Sequence, residues 1–413
     1  MRRLTFRKGL LYLPGPAWIL AASSAVWSVG GSMANPFQSI FFQTLGTPVE
    51  YIGVLASVSS VVTAVAYLVG GYVADVWGRR RVIAVFSLVA AANGFIYVFI
   101  NHWQLLFIPI IIGSLSGIYT PAFNAVLNDC MEPSMRPRGF ASYSIVTTVP
   151  SVFSPYLGGY LMHSLGYLPG LRVAYFASGL LGVLAVSWRA LKLQETHVIR
   201  GAARLGLVSF VANVIRNNVS ALKLASSDAR RLIVYSATSS LASGLTGPYV
   251  SVFLIDGVHL SAETYGLLTG ISAITTIALL LPAASLADKI GLRRAAILSA
   301  FAAPVSMIVF VSANGMNDLV TWSMTGGVSG ALLGPTVSSL QGNAVPKELR
   351  GRLMAMFSIV PLLVTTPTLA LSGYLYTDVS HLAPFIASIP VYAISVMVIA
   401  SVRGSNQSKG LLD

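Results

Sequence analysis

Apolar runs of about 18 or more residues, the length that crosses a lipid bilayer as one helix, recur from end to end of this 413-residue chain. They leave no room for a separate soluble domain. Only 9% of the side chains are charged, 55% are hydrophobic and the mean hydropathy is +0.76, values far outside the soluble globular range. The chain therefore reads as an all-α polytopic membrane protein. Spans are predicted at roughly 16–43, 53–74, 82–100, 104–129, 140–163 and 171–191, and again at 231–255, 264–287, 295–312, 319–343, 353–376 and 383–402. These ranges give an N-terminal six-helix bundle (1–191), a connection (192–230), a C-terminal six-helix bundle (231–403) and a tail (404–413). Within the connection Val208, Val211, Ile215 and Leu222 recur at helical spacing with Arg216 and Lys223 alongside, as in an amphipathic helix lying on a membrane surface.

The start of the chain, Arg2, Arg3, Arg7 and Lys8 ahead of Leu10 to Leu20, has the outline of a signal peptide. Apolar sequence runs on to Phe42 and further spans follow, so it reads as an uncleaved first span. The single cysteine, Cys130, excludes an internal disulfide.

A formal net charge of +13 suggests nucleic acid only if the positions of the charges are ignored. With the N-terminus in the cytoplasm, 25 of the 26 Lys and Arg fall on the cytoplasmic side, Arg172 being the exception. The outer loops instead hold Glu50, Asp256, Glu263, Asp318 and Asp378. This is the positive-inside bias of a membrane protein. It predicts cytoplasmic N- and C-termini in a plasma-membrane protein, and argues against a nucleic-acid partner.

The two halves of the chain repeat each other. Gly71-Tyr-Val-Ala-Asp75-Val-Trp-Gly78-Arg79-Arg80-Arg81 returns as Ala284-Ser-Leu-Ala-Asp288-Lys-Ile-Gly291-Leu-Arg293-Arg294. Such a turn suits a membrane face: Gly supplies backbone freedom, Arg stays out of hydrocarbon, and Asp accepts from helix-end amides or pairs with Arg. Pro36-Phe37 matches Pro248-Tyr249, Gly117 and Pro121 match Gly330 and Pro335, and Arg138-Gly139 matches Arg350-Gly351, all at offsets between 212 and 214. The chain is a parallel duplication of a six-helix unit.

The first copy of the turn resembles motif A of the major facilitator superfamily of secondary transporters, G-x-x-x-D-x-x-G-R-R. The second copy departs from it by Ala284 and Leu292. The resemblance implies two pseudo-symmetric six-helix bundles that rock about a central site, opening to each side in turn, in a protein that acts as a monomer, without cofactor or metal and without enzyme activity. It also implies gating roles for Gly71, Asp75, Gly78, Arg79, Arg80, Asp129 and Arg138, and for Asp288, Gly291, Arg293 and Arg294 in the second half. Asp75 would stand near the inner end of span 11, and Arg79 near Asp129 or Glu132, latching the inner gate. Ser154-Pro155-Tyr-Leu-Gly158-Gly159 is similar to the end of motif C of drug and proton antiporters; a Pro-kinked packing surface explains the same residues.

All thirteen Asp and Glu lie in loops or within about a turn of a helix end. No basic group is expected in the bilayer middle either, which argues against an anionic substrate and leaves Asp75 and Asp129 as the carboxylates available for proton coupling. The candidate lining is aromatic or uncharged: Asn35, Gln38, Tyr119, Phe123, Asn124, Tyr143, Thr147, Tyr249 and Trp322. For the hydroxyls, bonding to the preceding helical turn is the competing role; for the amides it is bonding between helices. Paired glycines such as Gly266 and Gly270 are expected to set close helix contacts. The expected function is movement of a small neutral or amphipathic solute, with export favoured. Sugar uptake is the alternative and a membrane receptor a distant one.

Overall fold

The structure, a computed structural model, describes residues 11–132, 135–193, 216, 220–346 and 349–403, without the side chains of 137, 281, 284, 288, 350 and 351. Twelve helical spans follow in order: α1 (Pro16–Thr44), α2 (Val49–Trp77), α3 (Arg79–Phe99), α4 (Trp103–Asp129), α5 (Arg136–Thr148 and Ser154–Leu165), α6 (Tyr167–Lys192), α7 (Ser227–Thr246, prolonged by Gly247–Tyr249, Val250–Val252 and Phe253–Gly257), α8 (Ala262–Ile290), α9 (Leu292–Val311), α10 (Met316–Ala344), α11 (Arg350–Tyr374) and α12 (Ala383–Ala400). No strand occurs among the described residues. Nine of these helices are long and apolar enough to cross a membrane by length and composition, again among the described residues. The amphipathic positions Val208, Val211 and Ile215 lie outside the described residues, while Leu222 is partly buried against the α7–α12 core.

Local chemistry sets where the helices turn. Proline lacks the amide proton and its ring crowds the preceding turn, so a helix tightens or breaks there. The repeat-matched Pro36 and Pro248 both fall in single 3-10 turns, Asn35–Phe37 and Gly247–Tyr249, and Pro150 falls in the turn Val149–Ser151 that splits α5. A single residue separates α2 from α3 and α8 from α9. These residues, Gly78 and Gly291, take φ 87° and 86°, a region in which a Cβ is strained. The two copies of the basic turn are thus the same backbone device. Gly78→Ala is expected to lower stability by about 1–3 kcal/mol, to be read by thermal unfolding of the purified protein; an unchanged midpoint would mean the turn tolerates a side chain.

The described helices form two compact units, α1–α6 with Pro248–Ala273 in one and the rest of α7–α12 in the other. In the first unit α6 runs along α1 and α3, and α2 along α4; in the second α12 runs along α7 and α9, repeating the α6 pattern. Between helices in lipid the contact comes from close packing, which small residues permit. A Cβ on Gly30 would lie 2.5 Å from the Ser178 Cα, and one on Gly94 2.9 Å from the Gly179 nitrogen, which brings α1 and α3 against α6. In the second unit Leu232, Tyr235, Leu353, Phe357, Val396 and Ile399 make a core against which Leu292, next to the Gly291 turn, is packed.

Candidate functional site

The feature of the first unit that most needs a physical account is Arg189, in the last turn of α6. It is 1% exposed. Helical side chains lean toward the N-terminus of their helix, so this one, starting near the basic end, reaches back into the bundle. Its Nε donates to Ser23 Oγ at 2.7 Å and its Nη2 to Ser24 Oγ at 3.0 Å, both on α1. Its Cζ stands 5.2 Å from the ring centroid of Phe123 on α4, a cation–π distance. Tyr119 and Tyr143 lie within electrostatic reach of the guanidinium, and Tyr143 also hydrogen-bonds Ser24. The rings join edge to face, Tyr119 to Phe123 with centroids at 6.2 Å and Phe123 to Tyr143 at 6.0 Å. Nη1 has no partner among the described residues.

Sequence reasoning placed Tyr119, Phe123 and Tyr143 in the lining, and the structure brings these three together. It missed Arg189, which lies within a turn of the end of α6 and is nonetheless buried in the bundle. A signal existed: Gly182, Ala185, Val186 and Arg189 share one helical face, and the first three are small or apolar and buried. An arginine continuing such a face is buried with it.

The basic turn is tied to the same bundle. Arg79 pairs with Asp129 at the end of α4, one of the two partners expected for it. Arg80 Nη2 donates to the Ala190 carbonyl at 3.1 Å, and its repeat equivalent Arg293 donates to the Ala400 carbonyl at 2.9 Å. Each arginine therefore satisfies an orphan carbonyl in the last turn of the sixth helix of its repeat. Asp75 is exposed, with no hydrogen bond or ion pair among the described residues, and the Asp288 side chain lies outside the description. A Cβ on Gly71 would meet nothing within 4 Å; its neighbour Gly70 makes the close approach, to Ile118 on α4. Arg138 and Arg294 are exposed. Cys130, half-buried after Asp129, has its thiol pushed above the usual range, first by burial and then by the Asp129 charge, which makes it a poor thiolate at neutral pH.

At the opposite end the first unit closes on itself. Tyr249 is fully buried, and its hydroxyl donates to the Val49 carbonyl at 2.9 Å while accepting from the Gly53 amide at 3.0 Å. It thus occupies the position of an α2 helix bond and lines no open surface. Phe37 packs edge-on to Tyr265 at 5.4 Å. The second half of α5 lies backbone to backbone against its neighbours: a Cβ on Gly158 would overlap the Met33 carbonyl, one on Gly159 the Ala262 carbonyl, and one on Gly266 the Pro155 carbonyl. His163 Nδ1 stands 3.2 Å from Glu263 Oε1 at the rim.

The remaining candidates stand apart. Asn35, Gln38 and Asn124 are exposed, and Gln38 Nε2 is 3.5 Å from the Tyr97 hydroxyl. Thr147 donates to the Tyr143 carbonyl at 2.9 Å, the back-bonding expected of a helical hydroxyl. Trp322 packs on Phe310, at 4.9 Å, in the second unit. Among the described residues no group of His, Cys, Asp or Glu is placed to hold a metal.

The comparisons fit this architecture. The family model of the Major Facilitator Superfamily matches residues 20–237 and 232–410. An uncharacterized MFS-type transporter of Bacillus subtilis (strain 168), YqjV, is 27% identical over 171 residues, 41% of each chain. A Na(+), Li(+), K(+)/H(+) antiporter of Planococcus maritimus is 30% identical over 162 residues, 37% of each chain. The matched stretch thus spans about two fifths of the length of these curated relatives. Among solved structures, the nucleoside transporter NupG superposes with TM-score 0.67 at 14% identity, covering 93% of this chain and 97% of that one. The human organic anion transporter MFSD10 does so with TM-score 0.67 at 15% identity, covering 92% and 98%. At such identities the likeness is one of fold. Duplicated six-helix bundles, the paired basic turns and a family match over both halves have one reading: this chain belongs to the Major Facilitator Superfamily.

Proposed function

We propose that the protein exports a small amphipathic organic solute, as a monomer in the plasma membrane, by opening to one side at a time. The basic end is the cytoplasmic side in this reading, by the asymmetry of Lys and Arg. The observation that carries it is the run of rings Tyr119, Phe123 and Tyr143 in the cytoplasmic half of the first unit. A run of edge-to-face aromatics offers contact area to many apolar bodies with few directional demands. The closure at Tyr249, Gly159 and Gly266 is then the outer gate in its shut state. The antiporter relative supports an ion-coupled cycle, for which Asp75 and Asp129 are the carboxylates at the cytoplasmic ends of α2 and α4.

The test is accumulation of cationic, neutral and anionic fluorescent amphipaths in inside-out vesicles, with and without a pH gradient. Saturable accumulation, reduced by Phe123→Ala, is expected. Accumulation of sugars alone would replace export by an uptake porter, and binding without flux would favour a receptor.

A further inference from the structure

We infer that Arg189, with the phenols of Tyr119 and Tyr143, is a recognition site for an anionic group, a carboxylate or phosphate monoester carried on an apolar body. The inference rests on the export reading above and narrows its substrate to amphipathic anions.

Geometry carries it. A guanidinium is a planar fork, and the Nε and Nη2 donors used together lie along one edge. Here both are spent on α1, at Ser23 and Ser24. That fixes the plane of the group and turns Nη1 away from α1. Nη1 is the one nitrogen of the fork with no partner among the described residues.

Charge balance points the same way. Of the neighbours that act electrostatically on Arg189, both are phenols, Tyr119 and Tyr143, and neither is a carboxylate. Asp129, at the end of α4, is paired with Arg79. A cation buried in the bundle and held by two hydroxyls and a ring is short of the opposite charge that normally accompanies a buried ion. An incoming anion supplies that charge and satisfies Nη1 in one step. The half-buried faces of Tyr119 and Tyr143 contact the apolar body and provide hydroxyl donors beside the cation. Charge-assisted hydrogen bonds of this kind are about twice as strong as neutral ones. Specificity would follow from the loss incurred when the anion is replaced by a neutral isostere, because Nη1 then stays unpaired.

The experiment uses the full-length protein in lipid nanodiscs with 2-naphthoate, 2-naphthyl phosphate, 2-naphthamide and inorganic phosphate as probes, read by calorimetry and thermal shift. The expected result is binding of both naphthyl anions at least about tenfold tighter than 2-naphthamide, with inorganic phosphate weak for want of the apolar body. Arg189→Lys, which keeps the charge but not the fork, and Tyr119→Phe, which removes only a hydroxyl, should each narrow the difference in affinity between naphthoate and naphthamide. Equal affinity of naphthoate and naphthamide for the wild-type protein, or no binding of either anion, overturns the inference whatever the variants do. Vesicle flux of other amphipaths would continue in that case, whereas failure of the export reading abolishes saturable accumulation of every class of amphipath.

Discussion

Gly159→Val is expected to cut transport by one to two orders of magnitude while leaving the bundles folded. The position has no space for a side chain: its Cβ would overlap the Ala262 carbonyl and lie 2.6 Å from the Glu263 Cα. The obstacle is backbone, which cannot rotate aside as a flexible side chain can. Overpacking of this kind costs about 1–3 kcal/mol, and the cost falls only on the conformer in which α5 meets the start of α8. A penalty of that size shifts a two-state equilibrium by roughly 5- to 150-fold, so the outer side should stay open and the cycle stall. Gly266→Val should behave alike, because its obstacle is the Pro155 carbonyl from the other side of the same contact. Labelling of a cysteine introduced at position 163, in a protein whose Cys130 is replaced by alanine, by an impermeant maleimide would rise in both variants. Native labelling with native flux would show that this contact is static packing.

Arg189→Met is expected to leave the fold as stable as before or more so, by up to about 4 kcal/mol, the upper end of the range found when whole buried ion pairs or triads give way to apolar residues of similar volume. No carboxylate is orphaned by the change. Ser23 already contacts the Ile19 and Leu20 carbonyls of its own helix, at 2.8 and 3.0 Å, and Ser24 keeps Tyr143. The lost cation–π contact with Phe123 is replaced by thioether–ring contact. Thermal unfolding in detergent measures this directly. A large loss of stability would make Arg189 a structural pin between α1, α4 and α6, retained for packing. Gain of stability with loss of anion transport would be the signature of a functional group held at the expense of the fold.

The spans and turns were legible because membrane helices announce themselves by length and composition, and because Gly78 and Gly291 are needed where one residue must reverse the chain. The duplication was legible as repeated spacing, and the matched kinks at Pro36 and Pro248 follow from proline's missing proton. What stayed hidden depended on helix rotation and on partners far apart in the chain. Counting basic residues by loop put Arg189 with the cytoplasmic charges; its burial follows from the face it shares with Gly182 and Ala185. From sequence Tyr249 reads as a polar aromatic available to solute, yet its hydroxyl lies between the Val49 carbonyl and the Gly53 amide, about 200 positions away in sequence. Similarly, Gly71 drew attention as part of a motif, whereas Gly70 is the residue in contact with α4.

Alternating opening at the outer contact is the central claim, and one cross-link tests it most directly. His163 and Glu263 face each other at the rim, with side chains 70% and 26% exposed, so cysteines at both positions can be joined by a short bifunctional maleimide applied from outside. Cys130, poorly reactive and at the other end of the bundle, is replaced by alanine as a precaution. A disulfide between the paired cysteines serves as the reversible form. Flux should stop when the pair is joined and recover when the disulfide is reduced, while each single cysteine transports normally. Native flux through the joined protein would contradict the account, because the contact between α5 and α8 would then have no need to open.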